Sequence, residues 1–132
     1  MFTRIDHIEI VPKDRERTIA FYINILGFTL KRRQKVQALQ QWGRYTVDEV
    51  IYLTLGDTMI ELIGVTNPSS TTHDPWGVGY RMIALAVEDM DKAVAYLQSK
   101  GVEITSGPVT LGAAKRAEIK DPDGLPIELR QW

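Results

Sequence analysis

An internal repeat constrains this chain more than any other feature. Residues 7 to 21, His-Ile-Glu-Ile-Val-Pro-Lys-Asp-Arg-Glu-Arg-Thr-Ile-Ala-Phe, return at 82 to 96 as Met-Ile-Ala-Leu-Ala-Val-Glu-Asp-Met-Asp-Lys-Ala-Val-Ala-Tyr. The echo reaches the far end of each half, where Ile60-Glu61-Leu62 reappears as Ile127-Glu128-Leu129. A chain of 132 residues divided in this way is read as one domain made of two small modules that share a core. The expected modules cover 1–66 and 78–132, and the loop-forming run at 67–77 links them,. Aligning the halves pairs His7 with Met82 and Glu61 with Glu128.

Within each half the hydrophobic period changes in the same order. Ile5 to Val11 alternates as a strand; Asp14 is a suitable N-cap; and Ile19, Tyr22, Ile23 and Leu26 form one helical stripe ending at Gly27,. Phe28 to Lys35, Glu49 to Leu55 and Thr58 to Gly64 read as further strands, with a Gln-rich loop expected from Gln37 to Asp48,. The second half repeats the plan. Met82 to Val87 is its strand, Asp89 its cap, and Met90, Ala93, Val94 and Leu97 its stripe, closed by Gly101. Asp121-Pro122-Asp123-Gly124 sets the last hairpin, between Lys115 to Lys120 and Leu125 to Trp132,. The pattern predicts an α+β fold of two βαβββ modules forming a cupped mixed sheet.

Strand parity then sorts the side chains. Ile8, Ile10, Ile60, Leu62, Ile83, Leu85, Val87, Ile127 and Leu129 are assigned to the face under the helices,. His7, Glu61, Met82 and Glu128 fall on the other face, together with Glu9, Tyr52, Arg116, Glu118 and Arg130. A glutamate on a strand is ordinarily the solvated face of an amphipathic sheet, and a lone strand histidine is ordinarily structural. Two glutamates at equivalent positions plus a histidine favour a shared ligand site instead. His73, in the Ser/Thr-rich linker, reads as a loop residue. The basic run Lys31-Arg32-Arg33-Gln34-Lys35 reads as protection of an edge strand,. Trp42, Tyr45, Trp76 and Tyr80 fall in or near loops, where they suit a pocket mouth or an oligomer contact.

Composition narrows the chemistry. The chain has no cysteine, so disulfides, a thiolate nucleophile and Cys-based zinc sites are excluded, and any metal must be held by His, Asp or Glu. A net charge of −1 supplies no field for nucleic acid. The sequence lacks an apolar leader at Met1-Phe2-Thr3-Arg4-Ile5-Asp6 and any bilayer-length apolar stretch, and a cytoplasmic protein is expected.

Five segments together resemble the vicinal oxygen chelate superfamily. They are Asp6-His7-Ile8-Glu9-Ile10, Thr18 to Phe28, Met59-Ile60-Glu61-Leu62, Tyr80 to Leu85, and Asp121 to Leu129. That superfamily includes glyoxalase I, extradiol dioxygenases, methylmalonyl-CoA epimerase and bleomycin-resistance proteins. The resemblance implies a divalent metal (Zn, Ni, Mn or Fe) held at His7, Glu61 and Glu128, with Met82 standing where the family's second histidine is usual. A thioether is a soft, weak ligand for these ions, so three ligands remain. Glu61 and Glu128 are the implied proton carriers, and Met82, Glu9, Tyr52, Arg116 and Glu118, which parity puts on the same face, are the expected substrate-binding residues.

Two functions are compatible with that resemblance. One is a metal-dependent lyase, isomerase or dioxygenase-type enzyme for a small oxygen-chelating substrate. The alternative is a metal-free small-molecule binder of the resistance type. Glutathione-using relatives typically carry Arg and Asn where this chain has Val11 and Val65, which turns the expectation away from a glutathione adduct. A homodimer is the family habit.

Overall fold

Parallel pairing of two strands requires a crossover that returns the chain to the same end of the sheet, and each half of this protein supplies one as a helix. In the computed structural model the described residues are 1–70, 74 and 76–132, without the side chains of residues 37–40. His73 lies outside them. The chain divides into two compact units, Met1–Thr71 and Thr72–Trp132.

The first unit contains β1 (Ile8–Ile10), β2 (Thr29–Trp42), β3 (Tyr45–Leu55) and β4 (Thr58–Val65), in sheet order β1-β4-β3-β2. β1 runs parallel to β4, setting Ile8 beside Ile60, Glu9 beside Glu61 and Ile10 beside Leu62. The remaining pairs are antiparallel. The crossover starts with α1 (Arg15–Ala20). The Asp14 carboxylate accepts from the Arg17 amide at 3.2 Å and satisfies one of the helix's orphan donors,. Ile19, Tyr22, Phe28, Ile51, Leu53, Ile60 and Leu62 form the buried core.

Three details of this unit differ from the sequence reading. The helix continues as a π-helical turn over Phe21–Ile25, and a widened turn rotates the side chains within it. Phe21 therefore joins the core, while Ile23 and Leu26 are only half-buried. Ile8, assigned to the covered face, is 43% exposed against 8% for Ile10. β1 is a three-residue edge strand, and only its last residue enters the core. The loop expected from Gln37 to Asp48 is instead the end of β2, a two-residue turn at Gly43-Arg44 and the start of β3. Trp42 pairs with Tyr45, and Gln41 donates across to the Thr46 hydroxyl at 2.8 Å. The Gln-rich run has no apolar alternation, and a ribbon held by backbone pairing needs none.

The second unit contains β5 (Ile83–Ala86), β6 (Ser106–Leu111), β7 (Ala114–Lys120) and β8 (Pro126–Gln131), in order β5-β8-β7-β6. Its parallel pair sets Ile83 beside Ile127, Ala84 beside Glu128 and Leu85 beside Leu129. α2 (Met90–Ser99) crosses over, and the Asp89 carboxylate accepts from the Lys92 amide at 3.1 Å. Met90, Leu97, Ala117, Ile119, Ile127 and Leu129 are buried, whereas Ile83, Leu85 and Val87 are half-buried because β5, like β1, is the sheet edge. The Asp121 carboxylate holds the last turn, accepting from the amides of Asp123 at 2.9 Å and Leu125 at 3.0 Å. Both units are thus mixed α+β. Among the described residues, no helix is long and apolar enough to cross a membrane.

A buried carboxylate on β3 ties α1 to the outer strand β2. Glu49, 4% exposed, accepts from Arg33 Nε at 2.8 Å and Arg15 Nη1 at 3.2 Å. Arg15 also pairs with Asp48, and Arg33 with Glu16. β2 is indeed the outer strand, yet Arg33 from its basic run points to an interior partner as well as guarding an edge. Arg33, opposed by burial and helped by Arg15, holds the Glu49 carboxyl below the usual range. Its contribution to stability is present above the ordinary carboxylate range and is lost as pH falls through the lowered value. Gly64 lies opposite Glu49 in the register and leaves the space that Arg15 fills. A Cβ there would sit 2.6 Å from Arg15 Nη1 and 2.9 Å from the Glu49 carbonyl oxygen. Gly64→Ala is expected to cost about 1–3 kcal/mol by overpacking, read as a lower urea midpoint. An unchanged midpoint would show that Arg15 is free to move aside.

Candidate metal centre

The parallel register of β1 on β4 decides which polar side chains meet in the first unit. His7 immediately precedes β1, Glu9 lies two residues on and so on the same side, and Glu61 is Glu9's neighbour across the pair,. His7 Nε2 is 2.9 Å from Glu61 Oε2 and 3.6 Å from Glu9 Oε1. The possible ligand atoms of His7, Glu9 and Glu61 all lie within 4.8 Å of one another. Glu61 is buried, and Glu9 is exposed. Tyr52 is Glu61's neighbour on β3 and meets the His7 ring edge-on at a centroid distance of 6.4 Å. The Glu61 carboxylate, with burial, raises the Tyr52 pKa.

Behind His7 stands a residue that the repeat did not single out. Asp6 Oδ2 is 3.0 Å from His7 Nδ1, and Arg4 Nη2 donates to Asp6 Oδ1 at 2.9 Å. The only sequence signal for it was adjacency, a carboxylate directly before the candidate ligand. A carboxylate on the remote ring nitrogen fixes the tautomer and raises the basicity of a ligating histidine. The His7 pKa lies above its ordinary 6.5, chiefly through Asp6, against burial and with help from the charge of Glu61. The stabilisation from this pairing is fully present below the unfolded-state value and is lost as pH rises through the raised folded value. A proton NMR titration of the metal-free protein should place His7 above 6.5, and Asp6→Asn should bring it down. A midpoint at or below the ordinary value would contradict the pairing.

The second unit assembles a different set from the equivalent positions. Glu128 is the neighbour of Glu118, and Arg130 of Arg116, across β7 and β8. Arg130 Nε donates to Glu128 Oε1 at 2.6 Å, and Arg116 Nη2 donates to Glu128 Oε2 at 3.2 Å. Arg116 also pairs with Glu118, which Arg81 reaches at 3.3 Å. Arg81 stacks on Trp76 with its guanidinium 3.8 Å from the ring centroid. Burial pushes the Glu128 carboxyl up, but Arg130 and Arg116 outweigh it and hold the pKa low. Met82 precedes β5 and is half-buried. Of the nine candidate residues, His7, Glu9, Tyr52 and Glu61 are gathered in the first unit. Arg116, Glu118, Glu128 and Arg130 are gathered in the second, with Met82 in that unit but outside the ion-pair ladder. Sequence parity anticipated the faces but missed Arg81, whose partner Trp76 lies in the linker.

The model of the Glyoxalase/Bleomycin resistance protein/Dioxygenase superfamily matches residues 4–129. The chain belongs to this superfamily. It is 35% identical over 128 residues to YaeR of Escherichia coli (strain K12), covering 96% of this chain and 94% of that protein. It is 32% identical over 134 residues to the lactoylglutathione lyase of Salmonella typhimurium, covering 96% and 90% respectively. The solved structure of a glyoxalase family protein from Bacillus cereus superposes with a TM-score of 0.79 at 25% identity, covering 99% of this chain and 95% of that one. The family's fold was legible in the repeat, and members of it commonly use a divalent metal. The first-unit residues fit such an ion chemically: one imidazole and two carboxylates, with His7 braced from behind,.

Proposed function

We propose that the protein is a metal-dependent lyase or isomerase of the glyoxalase type, acting on a small substrate that presents two chelating oxygens. The observation behind this reading is the His7–Glu61 contact at 2.9 Å, with Asp6 on the far ring nitrogen. A divalent cation held by His7 and Glu61 would supply Lewis acidity toward charge developing on the substrate oxygens. Glu61 takes up the proton from the carbon beside a carbonyl and returns it at the neighbouring atom, so the rearrangement balances without oxidant or reductant. Tyr52, beside Glu61 across the β3–β4 pair, is placed to orient that carboxylate for the transfer. Asp6 holds His7 in register.

Val11 and Val65, in place of the Arg and Asn that the family resemblance associates with glutathione, favour a substrate that is not a glutathione adduct. The chain's similarity to a lactoylglutathione lyase makes this a direct comparison. Protein expressed with Zn²⁺, Ni²⁺, Mn²⁺ or Fe²⁺ is expected to retain metal by elemental analysis, to lose it with His7→Ala, and to leave glutathione hemithioacetal unconverted. A stoichiometry near zero, unaltered by His7→Ala, would refute the metal reading.

A metal-free binder is the second reading, and two observations favour it: Met82 at the position of a ligand, and Glu128 held by two arginines. Met82→His discriminates. If that change creates metal affinity where the parent has none, the natural protein is a binder.

A further inference from the structure

We propose that the third protein donor to the metal is Glu9 of the first unit, while Arg116 and Arg130 keep Glu128 out of coordination. This inference rests on the metal reading above and concerns which carboxylate completes the site.

The repeat itself exposes the asymmetry. Each parallel pair sets one first-strand residue beside the glutamate of the last strand: Glu9 beside Glu61, and Ala84 beside Glu128. The position two residues earlier is His7 in one half and Met82 in the other. At these three positions the first unit therefore has three nitrogen or carboxylate donors where the second has one.

Their distances are close to what coordination requires. An ion bound at about 2.0–2.2 Å from each nitrogen or oxygen holds its donors roughly 3–3.6 Å apart. The His7 Nε2 separations of 2.9 Å from Glu61 and 3.6 Å from Glu9 already bracket that spacing. Glu9 is exposed, with freedom to complete the approach by a rotamer change, and among the described residues no arginine or lysine is paired with it. With His7 neutral, Glu9 and Glu61 balance the two charges of a divalent ion.

Glu128 faces the opposite situation. Each of its oxygens accepts from a different guanidinium, and Arg116 is shared with Glu118. Turning Glu128 toward an ion would take from half-buried Arg130 its carboxylate and leave Arg116 with Glu118 alone, and removing one partner of a desolvated ion pair is costly. The same arrangement accounts for Met82. A half-site that holds no metal has no need of a histidine.

The test is metal affinity by calorimetry and elemental analysis, with Co²⁺ absorption as a report on the coordination sphere. Glu9→Gln is expected to weaken binding by at least about tenfold, the scale on which even the outer partners of a metal ligand act, and to alter the Co²⁺ spectrum. Glu128→Gln should leave both within about threefold of the parent and unshifted. Because Glu128→Gln takes the carboxylate from Arg130 and one of two from Arg116, circular dichroism must first show it folded, and Glu128→Met serves in its place if it is not. Unchanged affinity in Glu9→Gln overturns the proposal, as does a tenfold loss in a folded Glu128 variant. A parent protein that binds no metal would overturn the metal reading itself, a result distinct from either.

Discussion

Parallel pairing of the first strand with the last in each unit is the constraint on which the rest of the structure depends. Such a pair cannot close through a hairpin, so a helix must intervene, and that helix covers one face of the sheet with apolar side chains. The other face is left to polar groups. Because strand side chains alternate with a period of two, the register that buries Ile60 and Leu62 also places Glu61 across from Glu9 and within reach of His7. Core packing and the site are therefore set by one alignment. A one-residue slip would exchange them.

The same alignment in the second unit produces a different electrostatic result, because its neighbours differ. Ile63 and Val50 of the first unit pair with each other where Arg130 and Arg116 pair in the second. Glu61 consequently has an imidazole and a phenol as partners, both able to release or share a proton. Glu128 has two guanidiniums, which cannot. Glu61 stands beside two groups that can exchange protons, whereas the two arginines at Glu128 favour its ionised form,. Identity of residue type between repeats is a poor guide to identity of role.

The sequence showed what depends on periodicity and on local capping. Asp14 and Asp89 cap the two helices, Ile60 and Ile127 are buried, and the polar set falls on the opposite face, all as parity required. Features depending on a third party were hidden. The π-helical turn at Phe21–Ile25 has no signature in apolar spacing, and the Gln-rich strand end, which pairs with β3 without apolar alternation, reads as a loop from its composition. The arginine ladder was half visible: Arg116, Glu118 and Arg130 were on the correct face, but their mutual pairing follows from the β7–β8 register. Asp6 was overlooked because comparing repeats weighs positions that recur, and Asp6 aligns with Arg81.

That last alignment explains how a duplicated fold can specialise without losing its stability. Positions under the helices are bound by shared packing, and they remain alike: Ile60 with Ile127, Leu62 with Leu129, and Asp14 with Asp89 at the caps. Positions on the other face are bound only by charge balance within their own unit. Asp6 and Arg81 are opposite in sign, and each matches its surroundings, Asp6 serving a histidine and Arg81 a glutamate. His7 and Met82 can therefore differ without a penalty to the core, because the carboxylate of the second unit has its own partners. The guanidiniums of Arg116 and Arg130 are those partners. Variation of this kind falls on residues that the fold does not need, and the His7–Glu61 pair of the first unit is kept in place by its own neighbours, Asp6 and the β1–β4 register.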